Sequence, residues 1–303
     1  MALKFHTLDV FTDRRFGGNP LAVVLDADEL SDQQMQAIAR EFNLSETVFV
    51  QASSRPAHTA KMRIFTPRNE VPFAGHPTIG TAALLAELRG PAHNGETDAL
   101  VVLEQSIGTV RVGARIRPGV SAFAEFDAPK LPAEAGVLPP VDILAAGLGL
   151  IPSEIGFENH TPLCFAAGNT FAFVPVATIE AIRRARVNGA HWERAFEQQG
   201  VVGAYLYTRQ CEHMNNAFHV RMFAPQVGIP EDPATGSAAV GLTGIVHHFD
   251  RLPDGTHKRI VEQGYEMGRP SQITLTLVVE AGKLTTVRIG GSAVRVSEGT
   301  LQV

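Results

Sequence analysis

The sequence predicts an α+β protein of two duplicated lobes, each a β-barrel-like sheet wrapped around one central apolar helix. Three observations carry that expectation. The chain repeats itself: RIFTPRNEVPFAGHPTIGTAALL at 63–85 is answered by RMFAPQVGIPEDPATGSAAVGLTG at 221–244. Arg63, Phe65, Pro67 and Pro72 match Arg221, Phe223, Pro225 and Pro230 at one constant spacing. Three extra residues, Glu231-Asp232-Pro233, then read as an insertion in the second copy, after which Gly75 and Gly80 match Gly236 and Gly241. Two copies about half a chain apart suggest a duplicated, two-lobed fold with a site between equivalent loops. The second observation is that the segment after each motif is apolar on nearly every face, as a buried helix is. The third is the wealth of strand-like runs around those helices.

Two lobes of about 150 residues fit the usual domain size, and the 303-residue chain divides naturally into 1–128 and 129–303. The last strand is available to pack back on the first lobe. Segment 129–140 carries four prolines and reads as the linker. Hydrophobic residues make up 45% and charged residues 19%, enough apolar surface for a sizeable core. The net charge of −5 and the lack of a basic run argue against a nucleic-acid partner. No apolar run reaches membrane-spanning length, so no membrane partner is expected. Cys164 and Cys211 are too few for a disulfide framework and fit a reducing cytoplasm, the expected location. The N-terminus MALKFHTLDVF passes directly into a strand, without an export signal.

The first lobe opens with strands at 3–11 and 20–25, joined by the Gly17-Gly18-Asn19 turn. A helix follows at 32–42, with Ser31 and Gln34 at capping-box spacing and Met35, Ile38, Ala39 and Phe42 on one face. Strands are expected at 47–50 and 59–65, and the first buried helix at 77–88, with Pro77 at its first position. Strands at 100–103, 108–116 and 120–126 complete the lobe. In the second lobe, strands at 164–167 and 171–174 precede a helix over 178–198. Strands at 201–208 and 217–223 lead to the second buried helix, 237–248, and strands at 272–280, 283–289 and 292–297 end the chain. A Rossmann arrangement is the alternative, but Gly147-Leu148-Gly149 is followed by Pro152 where the third glycine belongs.

The chemistry is sought where the copies differ. Gly75-His76-Pro77 and Gly236-Ser237-Ala238 each begin a buried helix, whose first N–H groups and dipole favour an anion. Plain capping explains one such motif; two matched copies with different polar residues point to a site for a carboxylate or enolate. Glu46 lies in Leu44-Ser45-Glu46 at the mouth of an apolar strand, and its counterpart in the second lobe is near Gly203. A carboxyl at the edge of an apolar cleft suits general acid–base work, although a lone loop glutamate is more often just solvated. Asp232 could simply end a turn before Pro233, but its place beside the glycine favours a directed role. His76 at a helix start is biased toward its neutral form. The Arg269-Pro270-Ser271 segment either lines the site or makes a tight turn, and the turn is slightly favoured. No HExxH, CxxC, G-x-S-x-G or Walker pattern occurs, so no metal centre and no hydrolase is expected.

GGNPLAVV, NLSETVFV, RIFTP, EVPFAGHPTIGTA, EDPATGSAA and EQGYEMGRPS resemble the PhzF-like family, named for an isomerase of phenazine biosynthesis, over essentially the whole chain. The resemblance implies the diaminopimelate-epimerase-like fold with its site in the cleft, and a homodimer. It assigns Glu46 as the acid/base, with His76, Asp232 and Ser237 as the other catalytic positions and Asn19, Gly75, Thr235 and Gly236 as substrate-binding residues. It implies no cofactor. In the namesake, the carboxyl takes a proton from C3 of trans-2,3-dihydro-3-hydroxyanthranilate and returns it elsewhere on the conjugated system. The expected partner is a small-molecule substrate bearing a carboxylate. The related racemases use two cysteines where this chain has His76 and Ser237. The alternatives are an epimerase of the same fold and a non-catalytic small-molecule-binding or regulatory protein.

Overall fold

A computed structural model of the chain describes residues 1–90, 95–116, 119 and 121–303. Two compact units emerge, Met1–Asp127 together with Gly290–Val303, and Ala128–Ile289. In the first, β1 (Ala2–Val10), β2 (Asn19–Val24), α1 (Asp32–Phe42), β3 (Glu46–Gln51), β4 (Ala60–Phe65), β5 (Glu70–Val71), α2 (Gly75–Leu88), β6 (Thr97–Gln105), β7 (Gly108–Ile116) and β8 (Ala122–Asp127) follow in order. In the second come β9 (Ala133–Glu134), α3 (Val141–Leu148), β10 (Leu163–Ala166), β11 (Thr170–Pro175), α4 (Ile179–Arg184), α5 (Gly189–Ala195), β12 (Gly203–Thr208), β13 (Phe218–Ala224), β14 (Ile229–Asp232), α6 (Gly236–Asp250), β15 (Gly255–Gln263) and β16 (Ser271–Glu280). The final strand, β17 (Lys283–Gln302), begins in the second unit and ends in the first.

Strand pairing in the first unit closes on itself. β1 pairs with β2, β2 runs parallel to β3, β3 pairs with β4, β4 runs parallel to β6, and β6, β7 and β8 form a meander. β17 pairs with both β8 and β1, which closes the described strands into a ring. α2 fills it. Nearly every residue from Gly75 to Ala86 is buried, against β1, β2, β3, β6, β7 and β8. α1 stays outside on β3 and β4, burying only Met35 and Ala39 along one stripe. Its start is held by the reciprocal Ser31–Gln34 capping box and its end by Asn43 in the left-handed conformation.

The second unit repeats the order. β10 pairs with β11, β11 runs parallel to β12, β12 pairs with β13, β13 runs parallel to β15, and β15 pairs with β16. The registers correspond residue by residue. Leu21 opposite Glu46 is answered by Phe171 opposite Gly203, and Ala60 opposite Leu103 by Phe218 opposite Val261. α6 is the second central helix, packed on β9, β10, β11 and β16. Trp192 and Phe196 anchor a separate apolar cluster with α3, α4 and β12.

Several local expectations change. α2 starts at Gly75, so Pro77 is its third residue, still within the first turn where no intrahelical N–H bond is lost. The helix expected over 178–198 breaks into α4, α5 and a 3-10 turn at Glu197–Gln199. Between α4 and α5, Arg186 N and Asn188 N donate to Leu148 O and Gly147 O at the end of α3, bonds a continuous helix would forfeit. Segment 129–140 is not a free linker, because β9 pairs with β10 inside the second unit. The two last strands are one, with Gly290 inside it at a point where a Cβ would meet Glu125 and Phe123. The helix α3 and strands β5, β14 and β15 were not expected, and Val120, the expected start of β8, lies outside the described residues.

The placement of the three-residue insertion also changes. Arg63 Nε and one terminal nitrogen donate to both carboxylate oxygens of Glu70, and Arg221 makes the same paired bonds to Glu231. Glu231 is therefore the counterpart of Glu70, and the extra residues lie earlier, in the turn 224–230, which includes the 3-10 segment Pro225–Val227. Asp232 then corresponds to Val71, Pro233 to Pro72, Thr235 to Ala74 and Ser237 to His76.

Candidate active site

In the first unit, Asn43 ends α1 and the chain enters β3 at Glu46, which sits opposite Leu21 of the buried strand β2. This holds the Glu46 side chain at the strand mouth, 15% exposed. Its Oε2 lies 3.5 Å from Nε2 of His76, the second residue of α2. His76 is buried, and desolvation pulls its imidazole down to about 3, so it is neutral at physiological pH. A neutral ring beside Glu46 cannot tie the carboxylate up in an ion pair, but it can share a proton with it. Gly75 precedes His76, and the N-cap Ala74 offers the first turn no side-chain acceptor.

Asn19 opens β2, fully buried and opposite Val10. Gly18 before it has φ +61°, and a Cβ there would lie 2.3 Å from Val10 O, so the turn that delivers Asn19 requires glycine. Its counterpart by register, Asn169, is exposed. Again only one copy carries the buried polar group.

In the second unit, Asp232 ends β14 opposite Met222 and is buried. The N-cap of α6, Thr235, does not cap its own helix with its hydroxyl. That hydroxyl donates instead to Asp232 Oδ2 at 2.6 Å. Gly236 is buried and Ser237 half-buried in the first turn of α6. The predicted residues thus form two groups, Glu46 with His76, Gly75 and Asn19 in one unit, and Asp232 with Thr235, Gly236 and Ser237 in the other.

Beneath the second group lies a residue the sequence reading missed. Gln263, at the end of β15, is fully buried and bonded to both Asp232 and Thr235. The signal was present in the sequence. Leu103-Glu104-Gln105 and Val261-Glu262-Gln263 occupy matching positions in parallel strands, β6 beside β4 and β15 beside β13. Gln105 likewise reaches a helix start, donating to Thr78 Oγ1 at 3.0 Å. The segment after Gln263 is the tight turn expected, with Arg269 N donating to Gly264 O and Ser271 Oγ donating to Pro233 O.

Neither cysteine is poised as a thiolate. Burial pushes Cys164 up to about 11, and burial together with Glu262 pushes Cys211 up to about 12. Among the described residues no group of three or more His, Cys, Asp or Glu is placed to hold a metal ion.

The family model described as phenazine biosynthesis-like protein (PhzC-PhzF) matches residues 8–299. An uncharacterized isomerase of Mesorhizobium japonicum is 48% identical, with 97% of this chain and 96% of that protein covered. The trans-2,3-dihydro-3-hydroxyanthranilate isomerase of Pseudomonas chlororaphis is 34% identical, with 97% of each chain covered. The crystal structure of the Bacillus anthracis phenazine biosynthesis protein, PhzF family, superposes with a TM-score of 0.88 over 100% of both chains at 26% identity.

Proposed function

The chain belongs to the phenazine biosynthesis-like family and is an isomerase; from that premise we propose that it shifts a proton on a small, carboxylate-bearing cyclic or unsaturated amino acid, with Glu46 as the general base and acid and without a cofactor. The observation that carries this reading is the Glu46–His76 contact: a carboxyl group at a strand mouth, 3.5 Å from an imidazole that burial keeps neutral. A base that removes a carbon-bound proton must be ionised and must not be neutralised by a cationic neighbour. His76 meets the second condition.

The step balances without a further reactant. The C–H bond next to the unsaturation breaks as its proton passes to the Glu46 carboxylate. That bond's electron pair forms a new double bond to the neighbouring carbon, the existing π pair is displaced to the far end of the conjugated system, and the carbon there takes the proton back from the same carboxyl. The α2 start beside Glu46, whose cap residue places no hydroxyl or carboxylate on it, offers N–H groups suited to a substrate carboxylate or developing negative charge. Asp232, an acceptor, suits a hydroxyl or ammonium donor of the substrate.

The related Pseudomonas enzyme supplies the first probe, trans-2,3-dihydro-3-hydroxyanthranilate. Its disappearance, followed by absorbance, is expected with the wild type and to fall by about 10²–10⁴ in Glu46→Gln, the usual worth of a positioned acid–base group. Turnover retained in that variant would remove Glu46 from the mechanism.

A further inference from the structure

Gln263 lies at the centre of a hydrogen-bond chain whose direction is fixed by backbone groups. Its Oε1 accepts from Thr235 N at 3.1 Å, a group that can only donate. Its Nε2 donates to Asp232 O at 2.7 Å, a group that can only accept. The amide therefore has one orientation. Its remaining capacity is also used, since Nε2 donates to Thr235 Oγ1 at 3.0 Å and Tyr205 Oη donates to Oε1 at 3.4 Å. A buried amide with two donors and two acceptor sites engaged leaves nothing to rearrange.

The consequence falls on Thr235. Its hydroxyl accepts from Gln263, so its single proton points to the acceptor at 2.6 Å, Asp232 Oδ2. Tyr205, Gln263, Thr235 and Asp232 thus form a one-way chain ending on a carboxylate. Among its described residues the first unit shows no such chain. Val71 stands at the place of Asp232, Ala74 at that of Thr235, and Gln105 meets Thr78 within α2 instead.

The geometry points to Gln263 as a positioning residue that, through Thr235, fixes the orientation of Asp232 and presents it as a hydrogen-bond acceptor to a donor group of the substrate. This rests on the reading of Asp232 as a site residue given above. Gln263 itself touches no substrate in this account; it sets the direction of the hydroxyl that does the holding.

The test uses the full chain and two readouts. With trans-2,3-dihydro-3-hydroxyanthranilate as probe, Thr235→Val is expected to lose about 10- to 100-fold in turnover, the scale of one hydrogen bond to a charged group. Thr235→Ser, which restores the hydroxyl, should recover most of the rate. A merely structural threonine would lower the amount of folded protein without changing the turnover of each folded molecule, and wild-type turnover per folded molecule in Thr235→Val overturns the proposal. Gln263→Met, which has no donor for Asp232 O or Thr235 Oγ1, should lose turnover as Thr235→Val does. The second readout needs no turnover. The side-chain amide protons of Gln263, observed by ¹⁵N-correlated NMR, should be slow to exchange and should shift in both Thr235→Val and Asp232→Asn. Signals unmoved by Asp232→Asn overturn the chain. A wild type inactive on the probe would overturn the choice of substrate in the function proposed above, while the amide spectra would still decide the chain.

Discussion

At the scale of single residues, two buried histidines carry opposite signs and make stability depend on pH from both sides. His76 is held at about 3 by burial, below the ordinary histidine value of 6.5. Its folded form refuses a proton that the unfolded chain accepts, so below pH 6.5 the native state loses about 1.4 kcal/mol per pH unit from this group as pH falls toward 3. His219 is buried too, but lies between Glu262 at 2.8 Å and Glu266 at 2.9 Å, and its net shift is upward, to about 9, the two carboxylates outweighing desolvation. Its stabilisation is fully present below pH 6.5 and is lost as pH rises through about 9. Urea unfolding across pH 4–10 should therefore show a dome, with His76→Gln flattening the acid side and His219→Gln lowering stability near neutrality while flattening the alkaline side. An acid limb unchanged in His76→Gln would contradict the burial argument. The sequence showed that His76 begins a helix but not how deeply it is buried. That depth comes from the strands that close around α2, and those pairings are long-range.

At the scale of elements, the matched glycines inside the two central helices test the packing directly. A Cβ on Gly80 would lie 2.6 Å from Leu21 Cδ2 and 2.7 Å from Val10 Cγ2, and one on Gly241 would lie 2.5 Å from Phe173 Cζ. Alanine is the better helix former by about 1 kcal/mol, yet overpacking a closed core costs about 1–3 kcal/mol. Gly80→Ala and Gly241→Ala are each expected to lower unfolding free energy by about 1–2 kcal/mol in denaturant titrations; a stabilising alanine at either site would show that helix and strand have room to spare. Both helices were legible because an apolar run flanked by glycine and proline leaves little choice. β5 and β14 were hidden by their shortness, and β15 by its polar Thr-His-Lys-Arg start. The break between α4 and α5 is a tertiary effect, since the end of α3 supplies the partners that interrupt the helix. The misplaced insertion came from matching Pro72 to Pro230, where the arginine–glutamate pairs show that Pro233 is the counterpart.

At the scale of the whole molecule, the chain ends in the unit where it began. Residues 293–302 of β17 pair with β1 along its whole length, from Ala2 opposite Gln302 to Val10 opposite Ala293. A chain truncated before Gly290 would leave β1 without this partner and open the first ring, so amide exchange protection in β1 and α2 should collapse; protection retained there would contradict the closed ring. The duplication and the barrel-like wrapping were legible in the sequence because the repeat preserves arginine, proline and glycine at fixed spacings. The Gln263 chain was not, because a glutamine acquires its meaning only when strand register brings it beneath a helix start. The central claim is that Glu46 carries the moving proton. Proton NMR of trans-2,3-dihydro-3-hydroxyanthranilate with the protein in deuterated water, beside Glu46→Gln, tests it most directly. The account predicts loss of the C3 proton signal and conversion to product in the wild type, with the C3 signal intact in the variant. Equal loss of that signal in both proteins would contradict it.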